Sequence, residues 1–154
     1  MPKLNLNDIP RHTGSSYPAP FHELCSNRIR QRLGDAGGLT DFGVNRLELQ
    51  PGSWSSQRHW HSEEDEFVYI VAGELVLVTD EGEQTLRAGD CAAFPKGDAN
   101  GHQLINKSNE TAICLEVGGR SKTDVCTYSD IDMLIDSRDE VYRHNDGTAY
   151  PQRD

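Results

Sequence analysis

From Phe42 onward the chain is a series of short apolar or alternating runs separated by polar turns. The runs are FGVNRLEL (42–49), EFVYIVAG (66–73), ELVLVTD (74–80), QTLRAGD (84–90), CAAFP (91–95), HQLIN (102–106), TAICLEV (111–117) and VCTY (125–128). Their shortness and their β-branched and aromatic residues predict strands. Asp80-Glu81-Gly82-Glu83 reads as a hairpin turn, and Asn106-Lys107-Ser108-Asn109 as another. No stretch sustains a 3.6-residue period over a helix-like length. Closely spaced antiparallel strands of this kind predict an all-β sandwich or barrel.

The flanks read differently. Four prolines in the first 20 residues exclude a helix across much of that segment and suit an extended arm. Such an arm can lie over the domain or reach a second subunit. Gly34, Gly37 and Gly38 mark a loop before the main body. The chain therefore divides into an arm and lead-in (1–38), a β body (39–130) and a polar C-terminal extension (131–154). In the extension, Met133–Ile135 and Val141–Arg143 are candidate short strands.

Length and charge narrow the picture. The 154 residues suffice for one domain with a real core, and the mean hydropathy of -0.68 indicates polar extensions around it. A net charge of -10 argues against nucleic acid and anionic membrane as partners, because either would be repelled. No run approaches a transmembrane span, and the N-terminus lacks the apolar stretch of a signal peptide, so a cytoplasmic protein is expected. Cys25, Cys91, Cys114 and Cys126 show no C-x-x-C pairing and are expected to be free thiols. Cys91 and Cys114 lie inside apolar runs, which predicts burial for both. No nucleophile elbow, phosphate-binding loop or dinucleotide fingerprint is present.

The candidate chemistry concentrates in QRHWHSEEDE (57–66), which places two histidines and four acids within eight residues. His59 and His61 are two apart, so on a strand both imidazoles project from one face. If that strand continued, the same parity would select Glu63 or Asp65 as a companion. The polar run Ser62–Asp65 followed abruptly by EFVYIVAG indicates instead that the chain turns. Glu66 then opens the next strand, and Glu63, Glu64 and Asp65 form a solvated turn. A further histidine, His102, follows the Pro95/Gly97/Gly101 region and restarts a strand. Three imidazoles and a carboxylate suit Fe, Mn, Ni, Zn or Cu in the divalent state far better than Ca²⁺ or Mg²⁺. Gln57 shares the parity of His59 and His61 and is a candidate for the same pocket. Trp60 and Tyr69 lie on the opposite parity and read as packing or subunit-contact residues. Glu116 is a candidate partner behind the ligands. His12, His22 and His144 lie in polar flanks and read as solvated.

In this arrangement the chain resembles the cupin superfamily, whose two motifs occur in order. Gly52, His59, His61, Glu66 and Gly73 correspond to the first motif, with one extra residue between Gly52 and His59. Gly89, Pro95, Gly97, His102 and Asn106 correspond to the second, with two extra residues before His102. Both departures lengthen loops without changing the residue types at the metal-binding positions. The flanks, including NDGTAYP, resemble those of small single-domain bacterial cupins, some of which bear sugar-phosphate-isomerase-like names. The resemblance covers roughly residues 42 to 128 and implies a double-stranded β-helix (jelly roll) and a homodimer. It also implies one divalent transition metal per chain, held by His59, His61, Glu66 and His102. The function expected is a metal-dependent enzyme, whether oxygenase, isomerase or lyase, acting on a small polar or organic-acid substrate. A non-catalytic module that binds or senses a small ligand through the metal is the alternative, because one fold hosts many chemistries.

Overall fold

The computed structural model describes residues 2–153. In chain order the strands are β1 (His12–Thr13), β2 (Arg28–Arg32), β3 (Phe42–Leu49), β4 (His59–His61), β5 (Glu66–Ala72), β6 (Glu74–Thr79) and β7 (Gly82–Arg87). They continue with β8 (Cys91–Phe94), β9 (Gln103–Ile105), β10 (Ala112–Gly119), β11 (Val125–Tyr128), β12 (Leu134–Asp136) and β13 (Tyr142–Arg143). One wall is a six-stranded antiparallel sheet ordered β1-β2-β3-β10-β5-β8. The other is formed by β13-β12-β11-β4 and by β7-β6-β9. A bridge between His59 and His102 joins these two sheets. The result is the jelly roll expected from the run lengths and motifs.

The core follows from strand parity. Across the six-stranded sheet, directly paired residues share a face. Leu47, Cys114 and Ile70 form one inward row, and Asn45, Glu116, Val68 and Ala92 form the next. Gly43, Gly118, Glu66 and Phe94 form the row beyond. Apolar residues thus fill one end of the barrel, where Leu47, Leu49, Ile70, Leu75, Leu77 and Leu104 pack together. Toward the opposite end the inward positions of β3, β10 and β5 turn polar, with Asn45, Glu116 and Glu66, and that end carries the site. The hairpin at Asp80–Gly82 forms where the turn residues lie. Gly73 turns the chain between β5 and β6 at φ +75°, and a Cβ there would meet Thr111 O and Ala112 Cα at 2.9 Å, so only glycine fits.

The lead-in holds more structure than its composition suggests. β1 and β2 extend the six-stranded sheet, with Arg30 opposite Leu47 on β3. Charged residues at Arg28, Arg30 and Arg32 hide this strand from any apolar-alternation reading. Between the two choices open for the arm, it lies over its own domain. Tyr17 is buried against Tyr128 and Tyr142, with ring centroids 5.5 and 5.7 Å away. The C-terminal extension joins the same cluster through Tyr142 and Tyr150, and Arg153 Nη1 donates to Tyr17 O at 2.9 Å.

Several expectations need correction. Cys91 is exposed, because β8 has an outer face that none of the described residues covers, whereas Cys25, Cys114 and Cys126 are buried. His144 is not simply solvated: it stacks on Tyr150 at 3.9 Å and contacts Asp132 at 2.9 Å. His22 is half-buried, with Nδ1 out of solvent and without a hydrogen-bond partner. His12 is exposed, as expected.

Candidate metal centre

The barrel's polar end brings His59, His61, Glu66 and His102 together. His59 and His61 project from β4, Glu66 opens β5, and His102 immediately precedes β9. His102 Nε2 lies 2.7 Å and His59 Nε2 3.4 Å from Glu66 Oε2, while His61 Nε2 lies 3.3 Å from Oε1. Donor atoms of His59, Glu66 and His102 fall within 4.8 Å of one another. His61 faces the same carboxylate from its other oxygen, with its ring 5.1 Å from that of His59.

Each imidazole is held from behind. His59 Nδ1 contacts Gln57 O at 2.8 Å, which orients the ring so that Nε2 faces the carboxylate. His61 Nδ1 contacts Asp124 Oδ2 at 2.6 Å. Asp124 is almost fully buried and also accepts from Glu63 N at 2.8 Å, so the β4–β5 turn and the His61 ring share one anchor. His102 lacks such a hydrogen bond: its Nδ1 is buried and unpartnered, and the ring is fixed by stacking on Phe94 at 3.6 Å. Anchoring of the far ring nitrogen sets the tautomer and orientation of metal-binding histidines.

Electrostatics point the same way. Burial would raise the Glu66 carboxyl, yet contacts from His102, His59 and His61 hold it well below the usual range, so it is a carboxylate. Burial opposes charge on His61, but Glu66 and Asp124 outweigh it and raise the ring to about 9. Burial lowers His102, partly offset by Glu66. The Glu66 Oε2 atom is buried and, although 2.7 Å from His102 Nε2, lacks the alignment of a hydrogen bond. Three imidazole nitrogens and a carboxylate converging on one point without mutual hydrogen bonds fit a divalent transition ion, which would take the place of the proton that Glu66 and Asp124 favour on His61.

Two cavities meet at this cluster. The larger, about 1070 Å³, is lined by His59, His61 and Glu66 and by residues of β2, the arm and the C-terminal extension. The smaller, about 240 Å³, reaches His61, Glu66 and His102 from the side of Trp60 and Phe94. Gln57 is not brought into this group: it is buried, and its Nε2 donates to Phe21 O at 2.8 Å, fastening the arm. Tyr69 is exposed on the outer face of β5.

The turn acids are less free than their composition suggests. Glu63 Oε2 accepts from Thr123 Oγ1 at 2.6 Å, and Asp65 Oδ1 accepts from Lys96 N at 2.9 Å. Glu64 is half-buried, borders both cavities, and has an oxygen 3.8 Å from His61 Nδ1. Burial, with Asp124 nearby, raises its carboxyl. Sequence reasoning missed Asp124, Glu64 and Arg30. Only Asp124 carried a signal, lying beside a strand that pairs with the histidine strand, and that pairing is itself tertiary information.

Fold and site together define a class: a single-barrel jelly-roll protein whose pocket gathers a three-histidine, one-carboxylate donor set. The sequence model of the Cupin domain family matches residues 45–118. A crystal structure of a sugar phosphate isomerase from a cupin superfamily, from Silicibacter pomeroyi, is 47% identical, covers 97% of each chain and superposes with a TM-score of 0.93. A protein from Acidithiobacillus ferrooxidans, provisionally named a sugar phosphate isomerase, is 29% identical over 93% of this chain and 86% of its own, with a TM-score of 0.74. The polyketide cyclase RemF of Streptomyces resistomycificus shares the fold, at 18% identity, 77% and 79% coverage and a TM-score of 0.62. No curated protein matches the sequence. The chain belongs to the cupin superfamily.

Proposed function

We propose that this protein is a metal-dependent enzyme acting on a small polar or organic-acid substrate, with His59, His61, Glu66 and His102 holding one divalent transition ion. The observation that carries the reading is the convergence of three Nε2 atoms on Glu66 at 2.7 to 3.4 Å, beside a cavity large enough for a small molecule. A bound ion would supply Lewis acidity toward a carbonyl or hydroxyl of the substrate, or a site for dioxygen. The chain's own residues do the rest. Gln57 O and Asp124 fix the orientation of His59 and His61, and Phe94 fixes His102. Glu64, on the rim of both cavities, is the carboxylate placed to exchange a proton with a bound ligand. Tyr17 and Tyr128 give the large cavity an aromatic wall. Isomerisation, the activity named for the two relatives above, fits this division of labour, as do oxygenase and lyase chemistries.

We also propose a homodimer formed through the outer face of the six-stranded sheet. Phe67, Tyr69 and Val71 project from β5 with 37%, 42% and 47% exposure, next to exposed Cys91 and Ala93 of β8. A contiguous apolar sheet face of this kind is a common subunit contact.

Metal analysis of protein purified without added metal tests the site. The expected result is near-stoichiometric transition metal in the wild type and strong loss in Glu66→Gln and His61→Ala. Sub-stoichiometric metal unaffected by these changes would refute the assignment. Substrate-dependent oxygen uptake would select the oxygenase, and turnover without it the isomerase or lyase. Stable metal with no turnover on any class would leave a metal-dependent binding module.

A further inference from the structure

The inner face of the six-stranded sheet carries a ladder of arginines at its β2 edge. Arg28, Arg30 and Arg32 alternate along β2, so they share the face of Leu49, Leu47 and Asn45 on β3, and all three line the large cavity. Arg28 is 6% exposed and donates to two carbonyls, Gly14 O and Ser55 O; among the described residues no carboxylate pairs with it. Among the described residues Arg30 has one acidic partner, Glu116, at 3.4 Å, and its Nε is buried without a partner. Among the described residues Arg28 and Arg30 therefore have one carboxylate between them, while Arg32 reaches Asp35 at 3.9 Å, in a chain whose net charge is -10. Burying a charge with an incomplete set of partners costs stability. An anion delivered by a ligand would complete the set, and the planar guanidinium fork is shaped for carboxylate or phosphate oxygens.

We propose that Arg30, backed by the charge of Arg28, is the anion-binding subsite of the cavity, and that the natural ligand is a small organic anion bearing a carboxylate or phosphate group. The inference rests on reading the large cavity as the substrate site. β3 and β10 separate β2 from β5, three strand spacings or roughly 14 Å along the sheet. The anionic end is thus held apart from the metal cluster, and the ligand's other end is left to face Glu66 and the histidines. Glu116 sits one row below Glu66 on the inner face and competes with the ligand for Arg30.

The test is calorimetric titration of the full chain, as purified and with its metal content measured, using inorganic phosphate and malonate as probes. Saturable binding of at least one probe is expected, and the tighter one identifies the source as a phosphate ester or a carboxylate. Arg30→Gln should weaken it at least tenfold with metal content unchanged, and Arg30→Lys should restore part of the loss. Glu116→Gln, which removes the competing carboxylate, should strengthen it several-fold; a merely structural role for the pair would not produce that gain. If Arg30→Gln fails to fold, the direction of the Glu116→Gln change decides. Absence of saturable binding, an adventitious, non-saturating uptake, or affinity unchanged within twofold in both variants overturns the subsite even where metal binds. Arginine-dependent binding in protein that lacks metal would instead sustain the subsite and refute the metal reading.

Discussion

His59 and His102 exchange backbone hydrogen bonds, His59 N to His102 O at 3.1 Å and His102 N to His59 O at 2.9 Å. This reciprocal pair joins the β4 sheet to the β9 sheet and sets the two rings 4.7 Å apart. The seam of the second wall is therefore also the floor of the candidate metal centre. The main-chain bonds set the backbone spacing from which these two imidazoles project. His61 and Glu66 flank a polar turn instead, and Asp124 ties that turn to the His61 ring.

Asp124 anchors both His61 and that turn, so Asp124→Asn should lower metal affinity by about 10–100-fold, the usual cost of losing a carboxylate behind a metal-binding histidine. Chelator competition measures this. Glu63→Gln, whose carboxylate faces Thr123, should leave affinity within twofold.

Tyr17 fastens the arm to the barrel and walls the cavity. Tyr17→Ala should cost about 3 kcal/mol in denaturant unfolding, as for other large buried aromatic truncations. The metal content of the folded protein should fall less than in Asp124→Asn, since Tyr17 touches Gln57, accepting from its N at 3.3 Å, and it is Gln57 O that holds His59 Nδ1.

Tyr69 pairs with Cys91 across β5 and β8, on the apolar outer face. If this face forms the proposed dimer, placing a charge there with Tyr69→Glu should convert dimer to monomer in sedimentation equilibrium, and a monomeric wild type would refute the dimer. The proposed dimer would cover Cys91, which is exposed in the single chain, so its labelling by a thiol reagent should accelerate in the variant. Cys25, Cys114 and Cys126, raised chiefly by burial, should label only on unfolding in both.

Arg58 grips Asp130 through two bonds of 2.9 and 2.8 Å, and this contact lowers the Asp130 carboxyl despite partial burial. A lowered carboxyl stabilises the fold above its unfolded value of about 3.9, and that contribution disappears as pH falls through the folded value. Asp130→Asn should therefore cost about 0.5–1 kcal/mol at pH 7, a small figure because the pair is solvent-screened. Against wild type the difference should shrink as pH falls below the unfolded value of about 3.9 and vanish once pH is below the lowered folded value, in urea denaturation at matched pH.

What the sequence determined by itself is what local pattern encodes. The runs from Phe42 to Tyr128 correspond to strands because alternation and β-branched residues specify a pleated, half-buried surface. The proposed donors at His59, His61, Glu66 and His102 were legible because parity and turn boundaries are local, and because two spaced motifs marked them. Only the tertiary structure decided what depends on pairing between distant segments. β2 is invisible as an alternating strand, since its inward residues are arginines that line a cavity instead of entering the apolar core. Gln57 has the right parity yet fastens the arm, because its immediate neighbour in space is Phe21. Asp124 reaches His61 through the β4–β11 register, and Cys91 lies on a face the fold leaves open. Within QRHWHSEEDE, local rules could separate the strand from its turn. The role of each turn carboxylate depended on which distant strand folds against it.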